Sequence, residues 1–243
     1  VFFLNPSKRD AAAATEPPAS LRFITVDGFA PFSAFDAAGQ VRGIHVDLAR
    51  MICLELEIAQ ACTIQVVAFK DVADILTSGQ ADAALAGVVP DAENSATLTF
   101  SEPYARLPSR FAVNGTSASI ETGVVNGSVH AAMAAALFPE RTFKTYPDQA
   151  AMLADLKSGV IGAAFGEGTA LGLWAASPVS AGCCALQAGG YFLPALRSDA
   201  LRIAFAATRP ELRDAVNAAL RDIQVSGRLE EIMLRHLPFD LTR

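Results

Sequence analysis

Leu76-Thr77-Ser78-Gly79-Gln80-Ala81-Asp82-Ala83 is echoed eighty positions later by Leu156-Lys157-Ser158-Gly159-Val160-Ile161-Gly162-Ala163. Each copy reads as the end of a helix, a glycine at a left-handed C-terminal cap, and the start of an apolar strand. Glycine is needed at such a cap because a side chain is disfavoured in that backbone conformation. The strands that follow run to Ala86-Gly87-Val88 and to Gly166-Glu167-Gly168, again at glycines that let backbone approach a ligand. One joint used twice predicts two similar lobes. Ligands of open α/β sheets bind beyond the carboxyl ends of the strands. Two lobes facing each other would therefore place both strand ends in one cleft, where a small-molecule site is expected.

The local patterns agree with an α/β chain. Leu21 to Val26 reads as a strand ended by Asp27-Gly28. A helix is predicted from Asp47, with Asp47 as its N-cap and Leu48, Met51, Ile52 and Leu56 on one face. Thr63 to Phe69 reads as the next strand. This strand-helix-strand order predicts mostly parallel sheets with helices on both faces. Beyond Gly189-Gly190 come a strand over Arg202 to Ala207 and a helix starting near Pro210, a residue suited to a first helical turn. The closing stretches, Leu212 to Leu220 and Gly227 to Leu237, are helical in period and are expected to return to the first lobe.

Composition narrows the function classes. Of 243 residues, 52% are hydrophobic and 18% charged, as in a globular chain with a sizeable core. The net charge of −6 carries no basic patch, which argues against nucleic acid as a partner. Val1 to Ser20, with its Lys8-Arg9, alanine run and Glu16-Pro17-Pro18, reads as a leader or linker remnant. None of Cys53, Cys62, Cys183 and Cys184 has metal-ligand spacing, and no metal or cofactor is expected. Cys53 late in a helix and Cys62 before a strand are placed for a local disulfide in an oxidising compartment, the alternative being two buried thiols. Cys183 and Cys184 receive no assignment.

Enzymatic signatures are weak. Gly166-Glu167-Gly168-Thr169-Ala170-Leu171-Gly172 has three residues between its second and third glycines, where a dinucleotide-binding loop has two. His45, His130 and His236 lack zinc spacing. His130 lies two residues from Ser128, a separation that does not bring helix side chains together. His45 reads as a surface or capping residue, and no catalytic residue is assigned.

Five segments in order resemble the bacterial periplasmic solute-binding proteins of family 3, the amino-acid type that serves ABC importers. They are Gly28-Phe29-Ala30-Pro31-Phe32, Gly43-Ile44-His45-Val46-Asp47-Leu48-Ala49, the Ser78-Gly79 joint, Phe100-Ser101-Glu102-Pro103-Tyr104 and Gly123-Val124-Val125-Asn126-Gly127-Ser128. The resemblance covers residues 21 to 238. It implies a type II, two-lobed periplasmic-binding-protein fold with two hinge crossovers, near Leu107 to Val113 and near Ala188 to Phe192. Lobe one is then discontinuous, 21–110 with 191–243, and lobe two is 111–190. It also implies a periplasmic monomer that closes over a small-molecule solute and hands it to a membrane ABC permease.

The resemblance assigns cleft roles residue by residue. Phe29 matches the aromatic that stacks on the ligand, a face suited to an ammonium group, and Phe32 supports it as a core ring. The backbone of Gly87 and Val88 faces the ligand. Gly127 and Ser128 stand at a helix start suited to an anion such as a carboxylate, where Ser128 also serves as a helix cap. Glu167 matches the acid presented to a ligand amino group. The family's carboxylate-clamping arginine falls on Asn94, which cannot make a charged two-pronged contact. Arg106 and Arg110 are the nearby cations, with a structural or surface role as their ordinary reading. Two alternatives use the same fold: a ligand-sensing receptor domain, and a lyase with Glu167 as general acid.

Overall fold

The computed structural model describes residues 18–192 and 200–237. The remnant assigned to the first twenty residues falls almost wholly outside them. The first part of the chain forms β1 (Leu21–Val26), the short hairpin β2 (Ala34–Phe35) and β3 (Val41–Arg42), α1 (Ile44–Glu55), β4 (Cys62–Val67), α2 (Val72–Thr77), β5 (Ala83–Leu85) and β6 (Leu98–Phe100). β7 (Ala105–Arg106) leads to β8 (Ser109–Asn114), β9 (Thr122–Val125), α3 (Val129–Leu137), β10 (Phe143–Tyr146), α4 (Gln149–Ser158), β11 (Ala163–Glu167), α5 (Gly168–Ala176) and β12 (Cys184–Leu186). β13 (Ala200–Leu201), β14 (Ala204–Ala206), α6 (Pro210–Val225) and α7 (Arg228–His236) complete the chain.

Two five-stranded sheets result, ordered β4-β1-β5-β14-β6 and β10-β9-β11-β8-β12. In the first, β1 runs parallel to β4 and β5, and β14 is antiparallel to β5 and β6. The second repeats this pattern: β9 is parallel to β10 and β11, and β8 is antiparallel to β11 and β12. Half of the pairings in each sheet are antiparallel, so the sheets are mixed and not mostly parallel. The reason is that each sheet receives a strand from beyond its own strand-helix-strand unit.

Alternation along the strands feeds two faces. Leu21 and Phe23 enter one apolar cluster with α1, α6 and α7, while Ile24 and Val26 enter another with α2. In the second sheet Ala112 and Ala164 face α4 and α5, whereas Phe111 and Phe165 face α3. Helices therefore cover both faces, and the closing helices α6 and α7 pack on α1 of the first sheet. The echoed glycines behave as their sequence context requires: Gly79 has φ 73° and Gly159 φ 81°, each ending a helix before β5 or β11.

Two local readings change. α1 starts at Ile44, one turn before Asp47, with Gly43 at its N-cap. The opening N–H groups are held by a distant turn: Ile44 donates to the Pro31 carbonyl at 3.1 Å and His45 to that of Phe32 at 2.8 Å. Gly43 has φ 130°, and a Cβ there would collide with the Phe32 carbonyl. Asp47 lies within the first turn and meets His236 Nε2 at 2.9 Å and Arg235 at 3.3 Å, tying α7 to α1.

Cys53 and Cys62 form a disulfide with Cα atoms 6.3 Å apart, as their helix-end and strand-start positions allow. The unassigned pair also bridges: Cys183 is disulfide-bonded to its neighbour Cys184.

The two chain segments joining the sheets run side by side. Ser109 and Tyr191 exchange both backbone hydrogen bonds, at 3.0 and 2.8 Å, and Gln187 N–H donates to the Phe111 carbonyl at 2.8 Å. A Cβ on Gly190 would lie 2.5 Å from Pro108 Cβ, so bare backbone is needed for this approach.

Candidate functional site

At the carboxyl end of β1, Asp27-Gly28 turns the chain into a tight loop in which Ser33 N–H donates to the Phe29 carbonyl at 2.9 Å. The loop holds the half-buried Phe29 ring across the backbone of Gly87, just beyond β5. Gly87 has φ 73°, and a Cβ there would lie 2.9 Å from the Phe29 ring. Phe32 is 2% exposed and its ring centre is 5.0 Å from that of Phe29. Val88 follows, half-buried against the α2-side cluster.

Behind these rings lies a group that the sequence reading placed wrongly. His45 is fully buried, with its ring 5.5 Å from Phe29 and 5.3 Å from Phe32, and its Nε2 2.7 Å from the Tyr104 hydroxyl. It is neither a surface nor a capping residue, because the earlier start of α1 turns position 45 toward the core. Burial lowers the His45 pKa to about 3 and raises that of Tyr104. Both are neutral at physiological pH, so the pair forms an uncharged hydrogen-bonded brace behind Phe29.

Asn94 is engaged within its own loop. Its Nδ2 donates to the Val89 carbonyl at 2.8 Å, and its Oδ1 accepts from Asp91 N–H at 3.1 Å. Asp91 returns the contact by accepting from Asn94 N–H at 2.8 Å. The side chain at the clamp position thus shapes the connection from β5 to β6.

The matching end of the second sheet is polar. Gly127, at φ 68°, leads to Ser128, the N-cap of α3. The Ser128 hydroxyl donates to the Val125 carbonyl at 2.7 Å and accepts from Ala131 N–H at 3.1 Å. The capping role is therefore present; the first N–H groups of a helix lack intrahelical partners and favour an anion. Glu167 closes β11 and caps α5, its carboxylate accepting from Thr169 N–H and Ala170 N–H, each at 2.7 Å.

Next to Glu167 in strand register is Ser109, whose hydroxyl lies 2.8 Å from His130 Nδ1. Burial lowers the His130 pKa, opposed by the charge of Glu167. Ser109 is 3% exposed and also meets Met133 Sδ at 3.1 Å, so the Ser109–His130 pair ties α3 to the first crossover. No local signal could have joined residues 21 positions apart. Arg110 is buried under Gly168, where a Cβ would lie 3.0 Å from Arg110 Cγ, while Arg106 is exposed.

Two sheets of one strand order, joined by paired crossovers, define the two-lobed, type II fold of solute-binding proteins. The chain belongs to the bacterial extracellular solute-binding proteins, family 3, whose model matches residues 21–239. It is 28% identical over 213 residues to the arginine-binding periplasmic protein of Mannheimia haemolytica, covering 84% of this chain and 85% of that one. It is 24% identical over 217 residues to ABC transporter arginine-binding protein 1 of Escherichia coli K12, covering 86% and 87%. The fold is also that of the L-cystine solute receptor of Neisseria gonorrhoeae in its unliganded open form, with TM-score 0.75, 16% identity and coverage of 92% and 95%. The protein is a solute-binding component and not an enzyme. No helix among the described residues is long and apolar enough to cross a membrane.

Proposed function

We propose that this protein captures an amino acid in the periplasm and delivers it to a membrane ABC permease, acting as a monomer without nucleic acid. Lobe one is assigned to 21–110 with 191–243 and lobe two to 111–190, with hinge bending at the two crossovers. The observation that carries this reading is the Phe29 ring held over bare Gly87 backbone at one strand end, with the Glu167 carboxylate at the corresponding end of the other sheet. An aromatic face and a carboxylate both suit an ammonium or guanidinium group. The Gly127-Ser128 helix start suits the ligand carboxylate, and the Gly87-Val88 backbone supplies hydrogen bonds. Asn94, held in its loop, contributes shape and no charge. Relatives named for arginine make arginine the first solute to test.

A solute that binds only the folded protein raises its melting temperature. In a thermal-shift panel of arginine, lysine, glutamine, cystine, organic acids and polyamines, a concentration-dependent shift with an amino acid is expected. A shift with organic acids or polyamines alone would overturn the amino-acid assignment.

A further inference from the structure

We propose that the Cys183–Cys184 disulfide is a thiol-exchange site on lobe two, opened by small dithiols ahead of the Cys53–Cys62 bridge. The inference stands apart from the identity of the solute. Loop closure explains little of what this bridge does. A disulfide stabilises chiefly by closing a loop, and more for a longer one; neighbouring cysteines close only a small ring across one peptide bond.

Adjacency also fixes the geometry. The two Cα atoms are 3.7 Å apart, which is the spacing across one peptide unit and lies below the usual disulfide span of about 4.4–6.8 Å. Bridges outside that span are the more readily reduced. The Cys53–Cys62 bridge, at 6.3 Å, lies inside it.

The surroundings separate the two bridges further. Cys53 is 2% exposed within the lobe-one core while its partner Cys62 is half-buried, so opening that bridge would place one of its two thiolates in an apolar site, where it is disfavoured. Cys183 and Cys184 are both half-buried at the start of β12. The turn before them is prearranged: Ala181 and Gly182 take φ of 53° and 69°, and Cys183 N–H donates to the Ser180 carbonyl at 3.2 Å. Among the described residues β12 is the last strand of its sheet and pairs only with β8, so opening the ring loosens one turn and one edge. The ring lies at the Asn114 end of β8, opposite the Ser109 end that borders Glu167.

The exchange needs a dithiol reductant. Its thiolate attacks one cysteine sulfur, the Cys183–Cys184 bond breaks and the other sulfur leaves as thiolate. The second reductant thiol then displaces the mixed disulfide, leaving two protein thiols and the oxidised, cyclic reductant.

The experiment is a dithiothreitol titration of the folded protein, with iodoacetamide trapping and peptide mapping, followed in parallel by fluorescence of Trp174, the one tryptophan of the sequence. Trp174 packs with Cys184 in one apolar cluster, and disulfides quench indole emission. Alkylation of Cys183 and Cys184 is expected at dithiothreitol concentrations at least about tenfold below those that open Cys53–Cys62. Emission should rise over the same range, and a Cys183→Ser/Cys184→Ser variant should show no such rise. Three results would overturn the proposal: earlier opening of Cys53–Cys62, opening of both bridges together, or alkylation of Cys183 and Cys184 without any reductant.

Discussion

The first and second sheets share one strand order and present opposite chemistry at the same end. The first offers an aromatic ring on bare backbone, braced by Phe32, His45 and Tyr104. The second offers two helix starts capped by Ser128 and Glu167. Their interiors differ as well: the first sheet has large aliphatic and aromatic side chains under α1, α6 and α7 on one face and an alanine-rich cluster with α2 on the other, whereas the second stacks phenylalanines against α3. A duplicated scaffold thus presents unlike side chains at corresponding strand ends.

The sharpest way to break this comparison is to damage each core in turn. Phe205 in β14 and Phe165 in β11 are both fully buried. Phe→Ala at such positions costs about 3–5 kcal/mol. Denaturant unfolding of Phe205→Ala and Phe165→Ala should show that loss. If the lobes are separate cooperative units, each variant lowers the midpoint of one transition and leaves the other in place; if they are one unit, both lower a single midpoint.

The next effect belongs to lobe one. His45 has a pKa of about 3 when folded, held down by burial, against about 6.5 when unfolded. Between those values the unfolded chain binds the extra proton, so stability is full above about pH 6.5 and falls as pH drops. The loss from pH 8 to pH 5 is about 2 kcal/mol. A His45→Phe variant should show a flatter pH dependence of unfolding free energy over that range. An unchanged slope would mean that His45 is not kept neutral by the core.

Phe29→Ala separates the ring's two roles. As a ligand face it should cost about tenfold in affinity, or about 1.4 kcal/mol, by calorimetry with the solute found in the thermal panel. A loss of stability with affinity unchanged would leave it as a core ring alone.

The sequence disclosed what rests on local rules. β1 was legible from Leu21 to Val26 because an apolar run ends at Asp27-Gly28. The duplicated joint was legible because Gly79 and Gly159 meet a backbone demand that few other residues meet. Phe29, Gly87, Ser128 and Glu167 could be placed on their strand and helix ends from motif order. What escaped depends on distant partners. The start of α1 is decided by the carbonyls of Pro31 and Phe32, so Asp47 looked like a cap it does not provide. His45 and Tyr104, 59 residues apart, carry no mark of their pairing, and neither do Ser109 and His130. The antiparallel half of each sheet also comes from strands that arrive from elsewhere in the chain.

Glu167 is where the two halves of the comparison meet, because its carboxylate is both a proposed ligand contact and the cap of α5. Sequence alone suggests that Glu167→Ala weakens binding and leaves the free protein's stability nearly unchanged. The two 2.7 Å bonds to Thr169 and Ala170 N–H change that expectation. Loss of a helix cap costs about 1 kcal/mol, so Glu167→Ala should lower the stability of the unliganded protein by that amount. Glu167→Asn keeps a capping oxygen and removes the charge, and its stability should stay nearer the parent while affinity for a cationic solute still falls. Thermal unfolding of the free proteins and calorimetric titration of both variants read the two effects separately. Equal affinity in the parent and Glu167→Asn would leave the residue as a cap, with ligand charge met elsewhere.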